Sequence, residues 1–115
     1  MSEKDIENNI LAYLVSIGLF VWKAESQGTY DQKLGIYRKG NAYHRKGVPD
    51  ILGVLPDGRF LGIEVKSERG ILSPEQRFFI DKINSLGGLA FVAKSVEDAR
   101  HNLISVIEDN RKEDT

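Results

Sequence analysis

The sequence predicts an α/β fold: a mixed four-stranded sheet flanked by helices, with an extra helix at the C-terminal end. An amphipathic pattern opens the chain, a Pro-Asp-Gly turn joins two strand-like runs near its middle, and a short continuously apolar run follows the next helix. The order helix, three strands, helix, strand, helix brings the last strand back through a helical crossover. It can therefore lie parallel to a strand of the antiparallel meander before it. With 115 residues, 41% of them hydrophobic, there is apolar material for one core but not for two. A single domain over residues 1–115 is expected, with 109–115 a frayed tail.

Ser2 is placed to cap a helix over residues 3–17, and Gly18 to end it. At about 100° per residue, Ile6, Ile10, Leu11, Leu14 and Ile17 share one face. Glu7 breaks the pattern, falling between Leu11 and Leu14 on the apolar arc, and Glu3 falls there one turn earlier. An inward carboxylate at a helix start is either a site residue or a partner of the helix dipole.

Leu19 to Lys23 read as a short aromatic and β-branched strand. From Glu25 to Lys46 the chain is polar and Gly-rich, with Tyr30, Tyr37 and Tyr43 interleaved and Leu34 to Arg38 as a possible brief strand. A connection of this length is usually functional or mobile. Its tyrosines suit either base stacking or pinning of the loop to the core.

Asp50 to Leu55 and Phe60 to Lys66 form a hairpin across Pro56-Asp57-Gly58-Arg59. Period-2 alternation puts Leu61, Ile63 and Val65 on one face and Phe60, Gly62, Glu64 and Lys66 on the other. Ser73-Pro74-Glu75-Gln76 opens a helix with an N-cap serine, a proline at the first position and a capping-box glutamine. That helix runs to about Leu86, with apolar arc Phe79, Ile80, Ile83 and Leu86 and with Gln76 inside the arc. Leu89 to Ala93 is the fourth strand, apolar enough to be buried on both faces. Ser95 caps a last helix to about Glu108, apolar at Val96, Ala99, Leu103, Ile104 and Ile107.

Composition narrows the chemistry. The chain has no cysteine and two histidines, which excludes disulfides and thiolate sites and argues against a histidine-rich zinc centre. It also points to a reducing cytoplasm, and no apolar run is long enough to span a bilayer. Net charge is −1, so the protein is not a basic nucleic-acid binder as a whole. Arg38, Lys39, His44, Arg45 and Lys46 nevertheless cluster ahead of Asp50, where they can contact phosphates or form a solvated loop.

Charged groups inside strands are costly unless paired or bound. Asp50 heads one hairpin strand, and Glu64 and Lys66 share a face of the other, so the chain separation between them need not persist in space. Two carboxylates and a lysine in this arrangement suit phosphodiester hydrolysis assisted by Mg²⁺ or Mn²⁺. Asp50 and Glu64 are the candidate metal ligands, with the Val65 carbonyl a third. Lys66 is the candidate for orienting or deprotonating water and stabilising charge. Glu7 reaches the metal or its water, and Gln76 the water or a phosphate. The bland alternatives are a same-face ion pair for Glu64 and Lys66 and simple capping for Gln76. The coincidence of Glu7 and Gln76, both breaking their helix patterns beside the hairpin, favours a site.

Asp50, thirteen intervening residues and Glu64-Val65-Lys66 resemble the PD-(D/E)XK nuclease signature. The fuller strings Arg45-Lys46-Gly47-Val48-Pro49-Asp50, Gly62-Ile63-Glu64-Val65-Lys66-Ser67 and Leu72-Ser73-Pro74-Glu75-Gln76 are similar to the VRR-NUC (virus-type replication-repair nuclease) family. Gly87-Gly88 and Ser95-Val96-Glu97-Asp98-Ala99 fit its later part, so the resemblance covers about residues 3 to 100. It implies a restriction-endonuclease-like α-β-β-β-α-β core. It also implies catalytic roles for Asp50, Glu64, Lys66 and Gln76, and a first-helix acid at Glu7, with Glu3 one turn away as the alternative. Glu7 has the spacing to Gly18 seen in archaeal-type Holliday junction resolvases of the same superfamily.

The resemblance further implies a homodimer acting on DNA, with four-way junctions or other branched DNA as the leading substrate. The cell would be bacterial, or infected by phage or virus. The alternatives are a nuclease for simple duplex or single-stranded ends and a catalytically weak DNA-binding module. Intact Asp50, Glu64 and Lys66 argue against the last.

Overall fold

The computed structural model describes the backbone of residues 1–24, 29–31, 36–38 and 43–113, and the side chains of 1–24 and 43–108. Helix α1 (Glu3–Ser16) is followed by strand β1 (Phe20–Lys23) and by β2 (Thr29–Asp31) and β3 (Ile36–Arg38). Strands β4 (Ile51–Val54) and β5 (Phe60–Val65), helix α2 (Pro74–Ser85), strand β6 (Leu89–Ala93) and helix α3 (Val96–Glu113) complete the order. The main sheet runs β1-β4-β5-β6. β1, β4 and β5 form an antiparallel meander, and β6 returns parallel to β5. The fold class and the mixed four-stranded sheet are as the sequence predicts.

Local chemistry sets the boundaries. The Ser2 hydroxyl accepts the Asp5 N–H at 3.1 Å, capping α1, and Gly18 takes φ +87° beyond its end. Asp57 supports the hairpin turn by accepting the backbone N–H of Arg59 at 3.0 Å and its Nε at 2.7 Å. At Ser73 the full capping box forms.

The α1/α3 side of the sheet carries the main core. Ile6, Ile10 and Leu14 of α1 and Ala99, Leu103 and Val106 of α3 pack on Ile51, Leu61, Ile63 and Val65. The opposite side is covered by α2 over β5 and β6, through Ile80, Ile83 and Ala90. Gly62 is the close approach there, since a β-carbon would lie 3.0 Å from Pro49 and 3.1 Å from Ile83. On β1, Phe20 and Trp22 stay exposed with ring centroids 5.4 Å apart.

Three expectations need correction. The polar connection after β1 is more regular than its composition implies: β2 and β3 pair antiparallel with Tyr30 opposite Tyr37. β3 falls inside the brief strand expected at Leu34 to Arg38, whereas β2, a run of three residues too short to show period-2 alternation, is not expected from the sequence. Helix α3 continues to Glu113 instead of fraying from Asp109, because neither glycine nor proline interrupts it. Its buried stripe includes Val106 and leaves Ile104 40% exposed, while Leu86 at the end of α2 is 75% exposed. Strand β6 is covered on both faces as its apolar run predicts, with Phe91 and Ala93 in the α1/α3 core and Ala90 in the α2 cluster, although it lies at the sheet edge.

Candidate active site

The strand ends converge on a cleft of about 810 Å³. Glu7 from α1, Lys23 from β1, Asp50 ahead of β4, Glu64 and Lys66 at the end of β5, and Gln76 from α2 all line it. The hairpin register explains the convergence. Ile51 is opposite Ile63, so Asp50 emerges beside Glu64 and Val65. The Val65 N–H donates to Asp50 Oδ2 at 2.8 Å, tying the first carboxylate to the strand that carries the second.

Glu64 is 2% exposed. Its Oε1 accepts Gln76 Nε2 at 2.9 Å, and its Oε2 is buried with no hydrogen-bond partner. Burial pushes the Glu64 carboxyl up to about 8 from an ordinary 4.5, and the neighbouring Asp50 carboxylate adds to the rise. Lys66 opposes this, but its Nζ stands 3.9 Å from Oε1, too long for a strong charge-assisted bond. The desolvation of Glu64 therefore outweighs its ion pair. The Lys66 stem is held by close approach of Gly70, where a β-carbon would come within 3.1 Å of its Cβ and Cδ.

Gln76 combines two roles that the sequence left as alternatives. Its Oε1 accepts the Ser73 N–H at 2.9 Å in the capping box while Nε2 holds Glu64. One amide thus caps α2 and orients a site carboxylate. Gly47, at φ +86°, backs onto the same helix start. A β-carbon there would lie 2.5 Å from the Glu75 carbonyl and 2.7 Å from the Gln76 nitrogen, so only glycine lets the loop ahead of Asp50 pass.

Glu7 is 7% exposed and faces inward, as its place on the apolar arc implies, whereas Glu3 is exposed at the cleft margin. Glu7 approaches from the α1 side of the sheet, and Glu64 projects to the α2 side. Among the described residues no group of three or more His, Cys, Asp or Glu is gathered for a metal. Instead Glu7 Oε2 is paired with Lys23 Nζ at 3.2 Å.

Two charged cleft residues, Lys4 and Lys23, were missed by sequence reasoning, and Lys23 is the one paired with Glu7. The available signal for Lys23 was its position at the end of a strand otherwise made of Phe20, Val21 and Trp22. His44, Arg45 and Lys46 are exposed just before Gly47 and do not line the cleft. Arg38 is described only by its backbone in β3, and Lys39 lies outside the described residues. Of the tyrosines, Tyr43 is 92% exposed, and the side chains of Tyr30 and Tyr37 lie outside the described residues.

The donor set fits Mg²⁺ or Mn²⁺. Glu64 Oε2 is a buried oxygen without a partner, and Asp50 next to it supplies a second carboxylate. Hard oxygen donors of this kind suit cations that keep several waters.

Comparisons with known proteins bear on the family and the fold. The family model described as the VRR-NUC domain matches residues 29–97. A solved VRR-NUC domain protein has a TM-score of 0.63 at 16% identity, covering 94% of this chain and 89% of its own. A second solved VRR-NUC domain also has a TM-score of 0.63, at 21% identity, covering 91% of this chain and 97% of its own. These structural likenesses are of fold. No curated protein matches the chain.

Proposed function

The chain belongs to the VRR-NUC family of PD-(D/E)XK-type nucleases, and on that premise we propose that it is a Mg²⁺- or Mn²⁺-dependent DNA endonuclease. Four-way junctions or other branched DNA are its substrate, and it works as a homodimer. The observation that carries the metal-dependent reading is the buried, unpartnered Glu64 Oε2 beside Asp50. A native interior rarely leaves a carboxylate oxygen in this condition unless a cation or proton meets it.

Asp50, Glu64 and the Val65 carbonyl would hold the metal, with Glu7 turned toward the cleft from α1. When bound, the metal supplies Lewis-acid activation of the phosphodiester and a water acidified toward hydroxide. The chain's own residues do the rest. Gln76 keeps Glu64 in its rotamer through the 2.9 Å bond. Lys66, 14% exposed at its side chain, orients the attacking water and stabilises negative charge on the phosphoryl oxygens. Asp50 is kept in line by the Val65 N–H. Arg38, Lys39, His44, Arg45 and Lys46 contribute phosphate contacts on approach. A second copy lets a domain of this size hold a branch point and cut paired strands.

The test incubates the protein with labelled junction, flap, duplex and single-stranded DNA, with Mg²⁺, Mn²⁺ or chelator. Junction cleavage with either metal and none in chelator is expected, and Asp50→Asn and Lys66→Ala abolish it while leaving circular dichroism unchanged. Absence of cleavage on every substrate sinks the enzyme reading. Faster cutting of simple duplex or single strands than of branched DNA sinks the substrate.

A further inference from the structure

We infer that Lys23 is a positioning residue that exchanges between Glu7 and a DNA phosphate, so that DNA binding frees Glu7 for the metal. This rests on the metal-dependent DNA reading above. Lys23 closes β1 opposite Ile51, and the Ala24 N–H donates to the Asp50 carbonyl at 2.9 Å. The lysine is thereby fixed one strand from Asp50, on the α1 side of the sheet with Val21. Glu7 meets it from α1 at 3.2 Å.

The two partners are unequally placed. The Glu7 side chain is 9% exposed, while that of Lys23 is 55% exposed and opens onto the cleft. A lysine head is a strongly hydrated point charge on a flexible stem, and an ion pair with one partner in water is readily exchanged. A phosphodiester entering the cleft offers Lys23 a full negative charge. Once Lys23 turns to it, the buried Glu7 carboxylate has lost this partner at the mouth of a cleft built for a cation. A buried carboxylate in that position gains most from a metal or its waters.

This accounts for a third acid that lines the cleft without joining a three-acid cluster. By linkage the coupling is reciprocal: DNA tightens metal, and metal tightens DNA.

The test measures Mn²⁺ affinity by calorimetry in the Lys66→Ala background, which blocks cutting, with and without a synthetic four-way junction. Without DNA, Glu7→Gln changes Mn²⁺ affinity by no more than about threefold. With DNA it weakens it by about tenfold or more, a difference of about 1.4 kcal/mol per decade. Equal weakening in both conditions makes Glu7 a standing ligand and overturns the inference, and no weakening in either does the same. In chelator, Lys23→Met reduces the slope of log affinity for the junction against log salt by about 0.9, the loss of one phosphate contact. Lys23→Arg preserves that slope. An unchanged slope for Lys23→Met makes the pair a structural one. Should Lys23→Met unfold, the double variant Lys23→Met/Glu7→Gln removes both charges and reports the same slope. Asp50→Asn separates this inference from the reading beneath it. If that variant retains wild-type Mn²⁺ affinity, the metal site itself is wrong.

Discussion

Glu64→Gln in the metal-free protein tests the central electrostatic feature of the cleft. The wild-type carboxyl titrates at about 8 when folded and at an ordinary 4.5 when unfolded. A folded pKa above the unfolded one means that the neutral acid is the form the fold prefers. The associated stability is fully present below 4.5 and is lost as pH rises through about 8. At about 1.4 kcal/mol per unit of difference, the ionisation penalty is under about 1 kcal/mol at pH 5, about 3 at pH 7 and about 5 at pH 9.

Glutamine copies the neutral acid. Its carbonyl accepts Gln76 Nε2 in place of Oε1, and its amide N–H₂ replaces the unpartnered Oε2 beside Asp50. The variant should therefore be more stable than wild type in chelator, with a difference that grows across this pH range, while losing cleavage. Urea denaturation of both proteins at pH 5, 7 and 9 measures it, and subtracting the curves removes every other titrating group. A variant less stable than wild type at pH 7, or a difference flat from pH 5 to 9, refutes the assignment of a buried, desolvated carboxylate.

Gly47→Ala should destabilise by roughly 2–4 kcal/mol, combining a left-handed backbone with contact against the start of α2. Gly58→Ala, at φ +93° with nothing within 4 Å, should lose only about 1 kcal/mol, and equal losses in denaturation would remove the packing argument. Ser73→Ala and Gln76→Ala should each lose about 1 kcal/mol from the α2 cap. Cleavage assays should show that only the glutamine variant is impaired well beyond threefold, because only Gln76 also holds Glu64. Light scattering at micromolar concentration should give twice the 12.9 kDa chain mass, and a monomer mass throughout would count against the dimer.

Much of the site could be read directly from the sequence because its parts are local. The Pro-Asp-Gly turn sets a hairpin register, and that register brings Asp50 to Glu64 and Val65 without help from the rest of the fold. The same holds for Ser73-Pro74 and Gln76, whose capping box forms within one helical turn. Inwardness of Glu7 followed from helical periodicity alone. Of the β2–β3 ribbon, β3 lies within the brief strand expected at Leu34 to Arg38, but β2 and the pairing were not legible, since strands of three residues give no periodic signal.

The chain by itself therefore determined the α/β class, the hairpin, the helix caps and the choice of Asp50, Glu64, Lys66 and Gln76, which the fold brings to one cleft. Tertiary structure alone decided what state those residues are in. Packing of α2 over β5 buries Glu64 to 2% exposure and raises its pKa, because desolvation depends on everything stacked around the group. The fold also put Lys23 within 3.2 Å of Glu7, joining a strand end to a helix face sixteen residues away in the chain. No periodicity encodes that pairing. It arises from how α1 lies across the sheet, which is a property of the assembled core.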